Sequence, residues 1–307
     1  MPLPPFRGFV AVTDFDWFSK LKAQSGVDEV NFWQPNPSGV AAPVGTPWLF
    51  KLRSPYDAIV GGGFFTHYTR MPVGSAWDAF GTKNGANSMM ELVNLLARYG
   101  KTRTAEVGDI GCVILSEPFF LEPQNWIGVP DDWKPNIVKG KYYDLSAGIG
   151  ARLWSAVTER IATRPFATLS PLLPGGKGKP TWYTPRLGQG GFRAIVSDAY
   201  ARRCAITGER TFPVLEAAHI KPFSIVGTHD VRNGLLLRSD LHKLFDQGYV
   251  TVGSDLRFKV SKSIREEFEN GRDYYALHGR EIRLPSDPAF RPDATYLEWH
   301  GDERFKS

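Results

Sequence analysis

The chain has 307 residues, of which 42% are hydrophobic and 22% charged, and a net charge of +5. These values fit a globular protein long enough for two domains, and they exclude a disordered chain or a small disulfide scaffold. No stretch approaches the ~20 apolar residues of a membrane span, so no membrane partner is expected. The positive balance permits an anionic partner without identifying one. The opening MPLPPFRGFVAV lacks the apolar core of a signal peptide, and Cys112 and Cys204 form no CxxC pair, which leads to the expectation of a reducing, cytoplasmic setting.

In chain order, residues 46–55 (TPWLFKLRSP) and 59–70 (IVGGGFFTHYTR) read as strands, rich in aromatic and β-branched residues and bounded by Gly and Pro. In the second, strict alternation places Phe64, Thr66 and Tyr68 on one face and Phe65, His67 and Thr69 on the other. Two helices follow, separated by GTKNGA, with Ser88 and Glu91 spaced as a capping box for the second. Residues 108–123 read as a strand, and Leu153, Val157 and Ile161 set a helical period over 147–162. Residues 164–191 then hold five prolines and six glycines, a density that neither a helix nor a central strand survives. The expected organisation is therefore a domain over 1–165, a basic linker over 166–190 and a second domain over 191–307, with mixed short strands and helices giving an α+β class.

In the second domain a helix opens the block and ends before Gly208. FPVLEAAHIKP reads as a strand, GTHDVRNG as a loop and GLLLRSD as a second strand. SDLHKLFDQG is a helix with Ser239 or Asp240 as N-cap, and YVTVGSDLRFKVS a hairpin turning on Gly-Ser-Asp. His219 ends the first strand, Asn233 starts the second, and His242 and Asp246 lie four apart on one helix face. An imidazole and a carboxylate at that spacing can reach one divalent cation. Taken singly, each residue also reads as structural: His219 as a core histidine, Asn233 as a turn residue, His242 and Asp246 as a surface hydrogen bond. The four in order, H-x13-N-x8-H-x3-D, say more than any one of them.

The segment from about 190 to 260, carried by LEAAHI, NGLLL and LHKLFD, resembles the HNH nucleases of the ββα-metal type, in the branch found among restriction endonucleases. The resemblance implies that His219 is the general base that takes a proton from water, that Asn233 orients the base, and that His242 and Asp246 hold one divalent cation, Mg2+ or Mn2+ or another transition metal. The family often places a further ligand just before the base, where this chain has Ala218; Glu216, on the same strand face, is the residue that would compensate. Relatives also brace the domain with paired cysteines on zinc, whereas CAITG (204–208) has a threonine at the second position, so no structural zinc is expected. His229, in the intervening loop, reads as solvent-exposed, and Arg202 and Arg203 read equally as phosphate contacts or as helix-surface charges.

A small nuclease domain contacts backbone more than sequence, so the first domain is expected to choose the substrate. Its strand and helix pattern resembles the PUA-like mixed α/β barrels, a group that includes EVE readers of modified bases. That fusion implies modification-dependent restriction of double-stranded DNA, with a homodimer supplying a second cut. Candidate base-stacking residues are Trp48, Phe50, Phe64, Phe65, Tyr68 and Trp77, with His67, Lys83 and Asn84 as polar partners. Two other readings stand beside this one: a nuclease switched on by a small ligand or partner protein at the first domain, and a degenerate HNH fold kept as a DNA-binding module.

Overall fold

A computed structural model describes residues 6–99, 108–162 and 186–306. The chain divides into two compact units, 1–186 and 187–307, both α+β. The proline-rich stretch expected as a linker falls almost wholly outside the described residues; the first helix of the second unit starts at Gln189.

The first unit runs β1 (Arg7–Thr13), α1 (Phe15–Lys22), β2 (Glu29–Gln34), β3 (Pro47–Leu52), β4 (Ala58–Pro72), α2 (Val73–Phe80), α3 (Met89–Tyr99), β5 (Asp109–Phe120), β6 (Ile127–Gly128), β7 (Gly140–Asp144) and α4 (Gly148–Ala162). The strands form one mixed sheet in the order β2-β5-β4-β3-β1-β7, with β6 on β4. Only the β1–β3 pair is parallel.

Both faces of the sheet are apolar, because its strands alternate between two cores. On β3, Leu49 joins one core, while Trp48, Phe50 and Leu52 join the other. The first core is closed by α4 through Leu153, Val157 and Ile161, the residues whose period predicts that helix; the second is closed by α1 through Trp17, Phe18 and Leu21. The expected cap of α3 is present in altered form: Ser88 Oγ accepts from the Glu91 amide at 3.2 Å, but the Glu91 carboxylate returns to the Asn87 amide at 2.7 Å rather than to that of Ser88.

The alternation predicted for 64–69 does not hold. Phe64 lies in the α4-side core, while Phe65 lies in the α1-side core and Tyr68 packs against it. The cause is an extra residue in the β4–β5 ladder, where Phe65 pairs with Leu115 but His67 with Ile114. Thr66 fills the irregularity by donating its hydroxyl to the Ile114 carbonyl at 2.9 Å.

The second unit runs α5 (Gln189–Ala199), β8 (Leu215–His219), α6 (Phe223–Val226), β9 (Gly234–Arg238), α7 (Ser239–Asp246), β10 (Val250–Val252), β11 (Phe258–Val260), α8 (Ser263–Phe268), α9 (Arg272–Tyr275) and α10 (Ala294–Glu303). Phe192, Leu215, Leu235, Leu237, Leu241, Phe245, Val250 and Leu297 share one core. Two local expectations are corrected. The N-cap of α7 is Arg238, not Ser239 or Asp240, and the Asp240 carboxylate instead binds the Arg238 guanidinium at 2.6 and 2.8 Å. The β10–β11 turn is longer than Gly-Ser-Asp: it is closed by the Gly253 amide on the Arg257 carbonyl.

His300 of α10 is 2% exposed, its ring 3.7 Å from that of Phe245 and near-parallel to it. Its Nε2 lies 3.0 Å from the Phe245 carbonyl and its Nδ1 2.8 Å from Thr251 Oγ1. A neutral ring satisfies both, donating Nε2–H and accepting the hydroxyl proton. Burial accordingly lowers its pKa to about 4. Since a histidine in the unfolded chain titrates near 6.5, the unfolded state takes up the proton first as pH falls. The contribution is full above about 6.5 and is lost between there and about 4, amounting to about 3 kcal/mol. Urea midpoints are expected to fall over that window, and His300→Gln to flatten the slope while lowering stability at neutral pH.

Candidate active site

β8 and β9 are antiparallel neighbours, with His219 opposite Gly234, and α7 follows β9 directly. This hairpin and helix bring together His219, Asn233, His242 and Asp246. Asn233 is fully buried. Its side chain clasps the backbone just past β8: Nδ2 donates to the Lys221 carbonyl and Oδ1 accepts from the Lys221 amide, each at 2.8 Å. The following residue must be glycine, since a Cβ at Gly234 would stand 2.6 Å from Val196 and 3.0 Å from the Phe192 ring. That close approach lets α5 lay Phe192 flat on His219, at 4.0 Å and 8° between rings.

His242 has a carboxylate beside each ring nitrogen. Nδ1 meets Glu216 Oε2 at 2.6 Å, and Nε2 lies 3.4 Å from Asp246 Oδ2. The shorter bond places the proton on Nδ1 and leaves the Nε2 lone pair facing a carboxylate oxygen. Two acceptors in that position attract a cation between them, and two ligand atoms on one ion with bonds of ~2.1 Å stand about 3.0–3.5 Å apart. The pair therefore fits a divalent cation. Among the described residues no group of three or more His, Cys, Asp or Glu side chains could hold a metal, so water and phosphate oxygens would complete the shell. Glu216 is one residue that sequence reasoning undervalued: it braces the imidazole from the neighbouring strand. Glu216→Gln is expected to raise the cation concentration needed for half-maximal nicking by roughly 10–100-fold, measured by titrating Mg2+ or Mn2+.

His219 is half-buried, and its pKa falls to about 4, through burial first and then the charges of His229 and His242. The ring is thus neutral across the physiological range and can accept a proton. Its Nε2 lies 3.1 Å from Nδ1 of His229. This corrects the expectation for His229, which is half-buried and stacked on Phe223 at 4.2 Å and 14°. A loop histidine ten residues along carries no periodic signal that would show the contact.

Arg202 and Arg203 follow α5. Arg202 adopts a left-handed backbone (φ 54°) and is held by Asp198 at 3.4 Å, 5.5 Å over the Phe212 ring; Arg203 is half-exposed. The CAITG turn closes through hydrogen bonds: Cys204 Sγ accepts from the Thr207 and Arg238 amides at 3.5 and 3.4 Å.

In the first unit the candidate reader residues scatter. Trp48, Phe50, Phe64 and Phe65 are core residues, and His67, Tyr68 and Trp77 are half-buried. Lys83 is engaged by Asp28 at 2.6 Å and Glu29 at 3.3 Å, and these carboxylates raise its pKa against the opposing effect of burial. Asn84 is buried, donating to the Ala76 and Gly81 carbonyls and accepting from Asn31. Of this group only Trp48 lines a cavity of ≈ 560 Å³, together with Phe9, Trp17, Phe32, Trp33, Tyr99 and Tyr142. Asp14 and Arg53, 3.0 Å apart, are among its polar lining residues, and Tyr68 serves it indirectly by accepting from the Gly39 amide of the lining loop at 3.1 Å.

Residues 204–253 match the HNH endonuclease family, a span that contains β8, β9 and α7. The match supports nuclease activity in general and DNA as the substrate class. No curated protein matches the chain. Among solved structures, the ASCH protein of Zymomonas mobilis is similar at 12% identity and a TM-score of 0.33, over 48% of this chain and 94% of that one. A mutant of the same protein gives 12% identity and a TM-score of 0.31, over 50% of this chain and 98% of that one. No helix among the described residues is long and apolar enough to cross a membrane.

Proposed function

We propose that the protein is a cation-dependent DNA endonuclease whose first unit selects DNA carrying a modified base. The nuclease reading is carried by one observation: His242 is fixed by Glu216 with its second nitrogen 3.4 Å from Asp246, on the helix that follows the strand paired with the one His219 ends. His219, neutral and stacked, takes the proton of the attacking water, and Asn233 holds the strand end that presents it. A bound cation would stabilise charge developing on the phosphoryl and leaving oxygens as a Lewis acid. Cutting both strands takes two such centres, which a homodimer provides.

The reader function draws on the aromatic cavity. A base swung out of a duplex needs flat apolar faces and a few hydrogen-bonding groups at its edge. The exposed Tyr142 and the half-buried Phe9 and Trp33 offer the faces, and the Asp14–Arg53 pair the edge. The test is digestion of otherwise identical DNAs bearing different cytosine or adenine modifications, with Mg2+ or Mn2+ varied. Cleavage confined to one modified DNA is the expected result, and Arg53→Ala should erase that preference. Equal cutting of all DNAs would remove the reader and keep the nuclease. The cavity also suits a small ligand, and cutting that begins only when one is added would favour the ligand-switched alternative.

A further inference from the structure

We propose that His229 is a positioning residue of the nuclease centre, which selects the reactive tautomer of His219 and supports its charge when it takes a proton. The inference rests on the nuclease reading above. His219 Nε2 and His229 Nδ1 are 3.1 Å apart, so one nitrogen donates and the other accepts. If His229 donated, His219 would carry its proton on Nδ1 and have no lone pair left for water. A working base therefore requires the opposite sense: His219 donates Nε2–H to His229 Nδ1, and its own Nδ1 lone pair is open to water. No hydrogen bond to His219 Nδ1 is found among the described residues.

The two imidazoles are held as a stack-and-bond unit. Phe192 of α5 lies flat under His219, and Phe223, at the start of α6, lies flat on His229. The loop carrying His229 is pinned from its far side: Asp230 accepts from the Arg232 amide at 2.9 Å, and its carbonyl from the Asn233 amide at 2.9 Å. Arg232 pairs with Asp230 and Asp293, which keeps those charges engaged away from the rings. The logic is that of a base whose second nitrogen is oriented by a third group, with a neutral imidazole in place of the usual carboxylate.

During the reaction the water O–H bond breaks, and its proton goes to His219 Nδ1 as the new P–O bond forms. The bond from phosphorus to the leaving oxygen breaks, and that oxygen takes a proton from solvent water. The imidazolium keeps its Nε2–H bond to His229 throughout and later returns the Nδ1 proton to solvent. His229 does not change its own protonation.

The test compares nicking by wild type, His219→Ala, His229→Phe and His229→Asn on the supercoiled form of whichever DNA in the modified series wild type cuts, with Mg2+ or Mn2+. His229→Phe keeps a ring to stack on Phe223 and removes the acceptor; His229→Asn keeps an acceptor near the Nδ1 position. The expected result is a kcat lowered roughly 10–10³-fold in His229→Phe with KM for DNA unchanged, and most of it regained in His229→Asn. His229→Phe nicking as fast as wild type, while His219→Ala stays inactive, overturns the proposal and leaves the nuclease reading standing. No nicking by wild type of any DNA in the modified series above overturns both. A second measurement does not depend on variants: ring 15N–1H spectra of the folded protein should show His219 protonated on Nε2. An Nδ1–H signal instead would sink the assignment.

Discussion

Replacing His219 by alanine is expected to lower DNA nicking by roughly 10²–10⁴-fold, the contribution of a positioned general base. The ring is suited to the work by its surroundings. Stacking on Phe192 fixes its plane, the bond to His229 fixes its rotation, and burial keeps it neutral down to about pH 4. A base is useful only when unprotonated, so the acid limb of the pH–rate profile should fall well below the usual histidine value of about 6.5. DNA binding should persist in the variant, since phosphate contacts do not depend on this nitrogen. Filter binding and nicking measured on one preparation check both halves. If His219→Ala retains full nicking, the base lies elsewhere.

The second large effect concerns stability. Asn233→Ala should destabilise the second unit by roughly 2–4 kcal/mol, because it strips partners from both the amide and the carbonyl of Lys221. Asn233→Asp should not restore the loss: one oxygen still accepts from the Lys221 amide, but the other then faces the Lys221 carbonyl, acceptor against acceptor. Urea unfolding at pH 7, with an unchanged m-value, measures the difference. Because the same side chain ties down the residues just past His219, nicking should fall in both variants before they unfold.

Much of the candidate site's arrangement was legible in the chain because its residues are fixed by short-range order. His219 closes a strand, Asn233 ends the short 3-10 turn (231–233) just before the next strand rather than opening that strand as expected, and the i, i+4 spacing of His242 and Asp246 is a property of one helix. What stayed hidden depends on closure in space. Strand alternation places Glu216 on one face with Ala218, but its bond to His242 forms only once the hairpin is folded, and His229 stands in no periodic pattern at all. The N-cap of α7 was misplaced because the Asp240 carboxylate has a guanidinium beside it that outcompetes the helix end.

In the first unit, strands with dense aromatic and β-branched content could be read, and the period of α4 marked its buried stripe. The cavity could not be read. Its walls include Pro35, Asn36, residues 38–41 and residues 138–139, which lie in irregular chain between strands. The residues proposed to stack on a base mostly turned out to be core because an aromatic strand residue looks the same from sequence on either face.

The irregularity at Thr66 has a use for redesign. Across it the strand changes parity, so the neighbours Phe64 and Phe65 belong to different interiors, while Phe65 and Tyr68, three apart, share one. Phe65 backs Trp48 at 6.2 Å between rings, and Tyr68 tethers the loop at Gly39. A combinatorial library at those two positions could therefore reshape the chamber's lining from behind while leaving the packing under α4 untouched.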